Sequence, residues 1–125
     1  MDFDKLITPE QKMRIIQELV PGKQITLAHI IANPDEILYQ KLGLDPAVSH
    51  TGTAIGILTV SPSETAIIAG DIATKSSGAK LGFVDRFSGT VIITGTVSEV
   101  EASLKAITEY ISGKLGFSVC EVTRT

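Results

Sequence analysis

His29, His50 and Cys120 carry the most versatile chemistry in this sequence of 125 residues: imidazole for proton transfer or metal binding, thiol for nucleophilic attack. Each stands alone. His29 lies inside an apolar run and shares a strand face with Leu27 and Ile31, where a histidine usually packs or hydrogen-bonds at an edge. His50 precedes Gly52 with no carboxylate or cysteine nearby in the chain. Cys120 would need an oriented base beside it to attack anything, and nothing local supplies one. Two histidines and one cysteine match no metal-ligand spacing. Asp71 is a possible acid or base, but it sits among small neighbours on the polar face of a helix. Asp85-Arg86 opens a tight turn, where such pairs commonly bond the turn backbone. Gly52-Thr53-Ala54-Ile55-Gly56 runs into a strand rather than opening a helix, so it fails as a phosphate cradle. No catalytic constellation survives, and the expectation is a non-enzyme with no cofactor and no metal.

The elements that position these groups are readable. Asn33-Pro34-Asp35-Glu36 offers an N-cap, a proline at the first helical position and a capping glutamate. That helix should run to about Leu42 and stop at Gly43. Ser61-Pro62-Ser63-Glu64 repeats the arrangement, and its helix presents Ala66, Ile67, Ala69, Gly70 and Ala73 as a small-residue face for close packing. Ser98-Glu99-Val100-Glu101 starts a third helix, with Val100, Leu104, Ile107, Ile111 and Leu115 along one stripe. It should fray between Gly113 and Gly116. Apolar, β-branched runs at 24–32, 53–60, 80–84 and 90–94 read as strands, the last two joined as a hairpin through Asp85, Arg86, Phe87, Ser88 and Gly89. A further extended piece covers 117–122.

From Thr53 the order is strand, helix, strand, strand, helix, an α/β (α+β) arrangement of the split βαβ kind that lacks its final strand. Residues 24–32 and residues 117–122 compete for that place. The upstream run is longer, more apolar and followed by its own capped helix. If it fills the gap, the sheet is a circularly permuted ferredoxin-like one, with the tail left to pair at an edge.

Hydrophobic residues make up 43% and aromatics only 5% of the chain, so the core must be aliphatic. The net charge is −3 and no Lys/Arg cluster occurs, which argues against nucleic acid or anionic lipid as a partner. No run reaches membrane-spanning length, the first residues carry acids rather than a signal's bases, and a lone cysteine suits a reducing compartment. The expectation is a soluble cytoplasmic domain. Residues 12–20 (KMRIIQELV) are separate and read as a strand or a short helix: they are closed off by Pro21-Gly22 and, as a strand, apolar on both faces. A lone strand of this kind satisfies neither its backbone nor its side chains, so it needs this sheet or copies of itself.

The stretch from Ile16 to Pro34 (IQELVPGKQITLAHIIANP) resembles the start of the circularly permuted shell proteins of bacterial microcompartments. Ala54-Ile55-Gly56-Ile57-Leu58-Thr59, Pro62-Ser63-Glu64 and Gly82-Phe83-Val84-Asp85-Arg86-Phe87-Ser88-Gly89 continue the likeness in order. The ending Val122-Thr123-Arg124-Thr125 is most similar to the propanediol-utilisation type, with ethanolamine and choline types close. The resemblance implies a BMC domain over residues 23–125 behind an extension over residues 1–22. It implies a homohexamer that tiles with other microcompartment shell proteins, and it allows an encapsulated cargo or docking peptide as a further partner. Asp85, Arg86, Phe87, Ser88 and Gly89 would surround the six-fold axis. Arg14, Ile15, Ile16, Gln17, Glu18, Leu19 and Val20 would give one strand each to a six-stranded β-barrel capping the central pore. Lys75 and Asn33 would lie at the hexamer edge. Asn33 stands where unpermuted relatives place an arginine, a departure that suggests a mixed shell. The competing reading is a ferredoxin-like small-molecule-binding regulatory module, which would be a dimer or tetramer.

Overall fold

The structure, a computed structural model, describes residues 24–44 and 53–125. The sequence expectations for residues 1–22, for the strand Arg14 to Val20 and for His50 lie outside the described residues. The elements in chain order are β1 (Ile25–Ile31), α1 (Glu36–Lys41), β2 (Ala54–Val60), α2 (Thr65–Ser76), β3 (Lys80–Asp85), β4 (Thr90–Gly95), α3 (Val97–Gly113) and β5 (Thr123–Arg124). They form one sheet in the order β3-β4-β2-β1-β5. The β1–β2, β2–β4 and β3–β4 pairs are antiparallel, and β5 lies parallel to β1. Starting the count at β2 and ending at β1 reproduces the ferredoxin-like order. The upstream strand therefore fills the vacant position, and the tail takes the edge beside it. The tail's regular pairing falls at Thr123–Arg124 rather than within 117–122, which contributes one bridging contact, Val119 with Ile25.

Alternation along the strands divides the apolar residues between two layers. On one face Ala28, Ile30, Ala54, Leu58, Val91 and Ile93 pack against Ala66, Ala69 and Ala73 of α2 and against Val100, Leu104, Ile107 and Ile111 of α3. On the other, Tyr39 of α1 and Leu44 cover Ile55 and Ile92. Gly56 on β2 lets α3 come close, because a Cβ there would lie 2.6 Å from Val100 Cγ1. Two stripe residues fall outside this core. Ile67 is 54% exposed, since α2 meets the sheet through its alanines, and Leu115 lies beyond the end of α3 at Gly113.

All three helices start later or earlier than their sequence signals suggest. Asp35, not Asn33, caps α1, with its carboxylate accepting from Ile37 N at 3.2 Å. The chain is still held to the sheet at Ala32, whose N–H donates to Thr125 O, so the helix cannot begin at Pro34. The Ser61 N–H likewise donates to Gln24 O, and α2 begins only at Thr65, after a turn in which Thr65 N donates to Pro62 O. At α3 the reciprocal box is Thr96 with Glu99, two residues ahead of the Ser98 pair read from sequence. Gly43 ends α1 at φ +70°, as expected of that residue.

Candidate functional site

The two ends of the sheet differ in character. At one end Ile25 faces Val60 and Thr59 faces Thr90, and the β3–β4 hairpin turns through residues 85–89. At the other, Ile31 faces Ile55, Ala54 faces Gly95 and Lys80 faces Thr94.

The turn is built by Asp85. Its Oδ1 accepts from Phe87 N at 2.9 Å, its Oδ2 accepts from Ser88 Oγ at 2.8 Å, and its carbonyl accepts from Gly89 N at 2.9 Å. The Phe87 N–H, with help from the Ser88 hydroxyl, holds the Asp85 carboxyl below its ordinary pKa. The sign follows: this bonding is complete above an ordinary aspartate's pKa and is lost as pH falls through the depressed one. With Asp85 committed to the turn backbone, Arg86 is left over the Phe87 ring at 5.0 Å, and that ring is 80% exposed. The five residues the sequence singled out thus form one knuckle, with Arg86, Phe87 and Ser88 exposed and Gly89 buried at its base. The chain also enters the described fold here, because Gln24 precedes Ile25 at this same end.

Lys75 and Asn33 fall at the opposite end, Lys75 in the last turn of α2 and Asn33 just after β1. The Lys75 ammonium bonds Asp71 Oδ2 at 2.9 Å in an exposed i,i+4 pair, so Asp71 is a surface ion-pair partner. The two sit at the rim of an open groove of about 390 Å³ with Ile68, Ile72, Ser76 and Tyr110, where their charges offset each other.

His29 bonds the tail through both ring nitrogens, to Thr123 Oγ1 at 2.6 Å and to Thr125 Oγ1 at 2.8 Å. That is the edge role expected of it. Cys120 is half-buried against the helix-side core, and its N–H donates to Ile25 O at 3.1 Å. Among the described residues no group of His, Cys, Asp or Glu is placed to hold a metal, and no helix is long and apolar enough to cross a membrane. Sequence reasoning passed over two features. The outer strand β3 exposes Leu81, Phe83 and Val84 by 41%, 43% and 39%. Gln24 is nearly buried at the turn end, and its only signal was a polar residue heading an apolar run.

A permuted ferredoxin-like sheet, with a polar knuckle at one end and an apolar outer strand, describes a building unit better than a reaction vessel. The BMC domain model matches residues 54–122, starting at the first residue of β2 and leaving outside it the strand and helix that the permutation carries to the front. The chain belongs to the BMC-domain family and is a shell protein of a bacterial microcompartment. It is 57% identical over 112 residues to the shell protein PduU of Salmonella typhimurium, covering 90% of this chain and 93% of that one. It is 53% identical to the shell protein CutR of Streptococcus intermedius, covering 90% and 92%. A solved flat hexamer of CutR superimposes with a TM-score of 0.76 at 50% identity, over 90% of this chain and 99% of that one. Nothing in these likenesses supports the regulatory-module reading.

Proposed function

We propose that the chain is a non-catalytic tile: a homohexamer in which residues 85–89 of each copy surround the axis, Lys75 and Asn33 lie at the rim, and residues 14–20 form a barrel over the pore. One observation carries the reading. The 85–89 turn and Gln24, where the N-terminal segment joins, lie at one end of the sheet and Lys75 and Asn33 at the other, so in a ring the strands would run as spokes. A strand of seven residues spans roughly 20 Å, the scale of a radius in a ring of small domains. The same end that would bring six turns together is the end at which Gln24 lies, so a barrel strand at residues 14–20 would need only a short connection to reach the axis. Closing six such strands would satisfy the backbone that one strand leaves open. The exposed apolar side chains of β3 supply a flank for the neighbouring copy. The tile would stand in a cytoplasmic shell beside other shell proteins, with the barrel a place for an encapsulated cargo's docking peptide.

Native mass spectrometry tests the assembly. A six-fold species is expected, and a stable dimer with nothing larger would sink the reading. Deleting residues 1–20 should leave that species in place, because the sheet flanks hold the ring. A truncated chain that ran as a monomer would instead make the N-terminal strand the assembly element.

A further inference from the structure

Cross-strand partners line up as one row across the sheet. Phe83 of β3 stands opposite Ile92, Ile92 opposite Ile57, Ile57 opposite His29, and His29 opposite Thr123. Partners in such a row share a face, here the face on which Tyr39 and Leu44 cover Ile55 and Ile92. The two ends of the row are the two lateral edges of the sheet. At one edge Phe83 is exposed. At the other His29 is half-buried, with Thr123 and Thr125 exposed beside it. Both imidazole nitrogens bond those threonine hydroxyls, at 2.6 Å and 2.8 Å. In the neutral ring one nitrogen donates and the other accepts, and a hydroxyl answers either. The nitrogens are therefore already occupied, and what the cluster offers a neighbour is an imidazole ring with threonine methyl groups beside it. Polar by residue type, it is an apolar, aromatic landing in the fold.

A rotation about a six-fold axis preserves distance from the axis and height along it. Atoms that touch across a subunit boundary in such a ring therefore lie at nearly equal radius and on the same side of the tile. A cyclic ring also repeats one heterologous contact, so each edge meets the opposite edge of the next copy. With the strands as spokes, one cross-strand row marks about one radius, and its shared face marks one side. This row crosses near mid-strand, where the twist of the sheet displaces its ends least. We propose that Phe83 of one copy packs on the His29, Thr123 and Thr125 cluster of the next copy, as an aromatic pair. The inference rests on the ring of radial strands proposed above and names the surface that its β3 flank meets. It gives His29 a second use beyond holding the tail of its own chain.

Photo-crosslinking in the assembled full chain tests it. Phe83→p-benzoylphenylalanine keeps an aromatic side chain at the contact, and its six-fold species is isolated, irradiated and digested with trypsin. The expected adducts join residue 83 to the peptides 24–41 or 115–124, which carry His29 and Thr123. Within one copy the ends of the row are four strand spacings apart, roughly 19 Å, so such an adduct arises only between copies. It should vanish when the ring is diluted to monomers before irradiation. Thr123→p-benzoylphenylalanine puts the probe on the receiving side, and should the bulkier group at 83 block assembly it decides the matter alone. Its expected adduct is with the peptide 81–86, which holds Phe83. Adducts confined to other peptides of a six-fold species would overturn the contact and leave the ring standing. A wild-type chain with no six-fold species would overturn the ring, and this inference with it.

Discussion

Gly89→Ala is expected to destabilise the folded domain by about 2–3 kcal/mol, read as a lower urea midpoint with an unchanged slope. Gly89 holds φ +75°, a conformation that costs an L side chain roughly 1–2 kcal/mol. The position is also closed. A Cβ would overlap Val60 O and lie 3.2 Å from Ser63 Cα, and both are backbone atoms that cannot swing aside. Relief requires the turn to lift away, breaking the bond from Val60 N to Gly89 O, worth about 1 kcal/mol net. Gly116→Ala is the control, because Gly116 has φ +71° and open space around it, so only the conformational cost applies. If the two substitutions cost the same, the turn is not packed on the β2–α2 loop. If the turn surrounds a six-fold axis, six copies of the lesion meet there, and the ring should loosen at the pore before it loosens elsewhere.

That turn was legible in the sequence because its determinants are local. Asp85 accepts from Phe87, Ser88 and Gly89, all within four residues of it. The strand pattern was legible for the same reason, and the permuted topology followed from comparing the length and polarity of two candidate strands. Helix starts were misread where the chain is held by something distant. Asn33 and Asp35 are both good caps, and Asp35 wins because Thr125 still pins Ala32 to the sheet. Ser61 is a good cap by type, but Gln24 has already taken its N–H. Gln24 itself stayed hidden because its acceptor role is filled by Ser118, far down the chain. A local pattern cannot show a bond of that span. The exposed face of β3 was hidden for another reason: an apolar strand reads as core from sequence, and only the sheet order shows it on the outside.

Phe83→Asp is expected to cost the single domain only about 1–2 kcal/mol and to weaken the hexamer by at least about a hundredfold per interface. On β3, Leu81 and Val84 both lie over Gly70 of α2, because a bulge between Leu81 and Phe83 breaks the alternation, and counting from Val84 puts Phe83 on the other face of the strand. Leu81 and Val84 therefore still serve the fold, whereas Phe83 is 43% exposed and belongs to neither core layer. In the free domain more than half of its surface is already covered, so its replacement costs about 1–2 kcal/mol there. In a ring, the same position would lie against the next copy, where burying the rest of a phenylalanine is worth about 1 kcal/mol or more. An aspartate in its place would be a desolvated charge without a partner, costing several kcal/mol. Because a cyclic ring repeats one heterologous contact, a single substitution strikes all six interfaces at once. Ile68→Asp gives the contrast, since Ile68 is equally exposed, at 42%, but lies on α2 at the open groove. Mass photometry at matched concentrations should find Phe83→Asp as monomers and Ile68→Asp still six-fold. The reverse result would move the subunit contact from the β3 flank to the helical face.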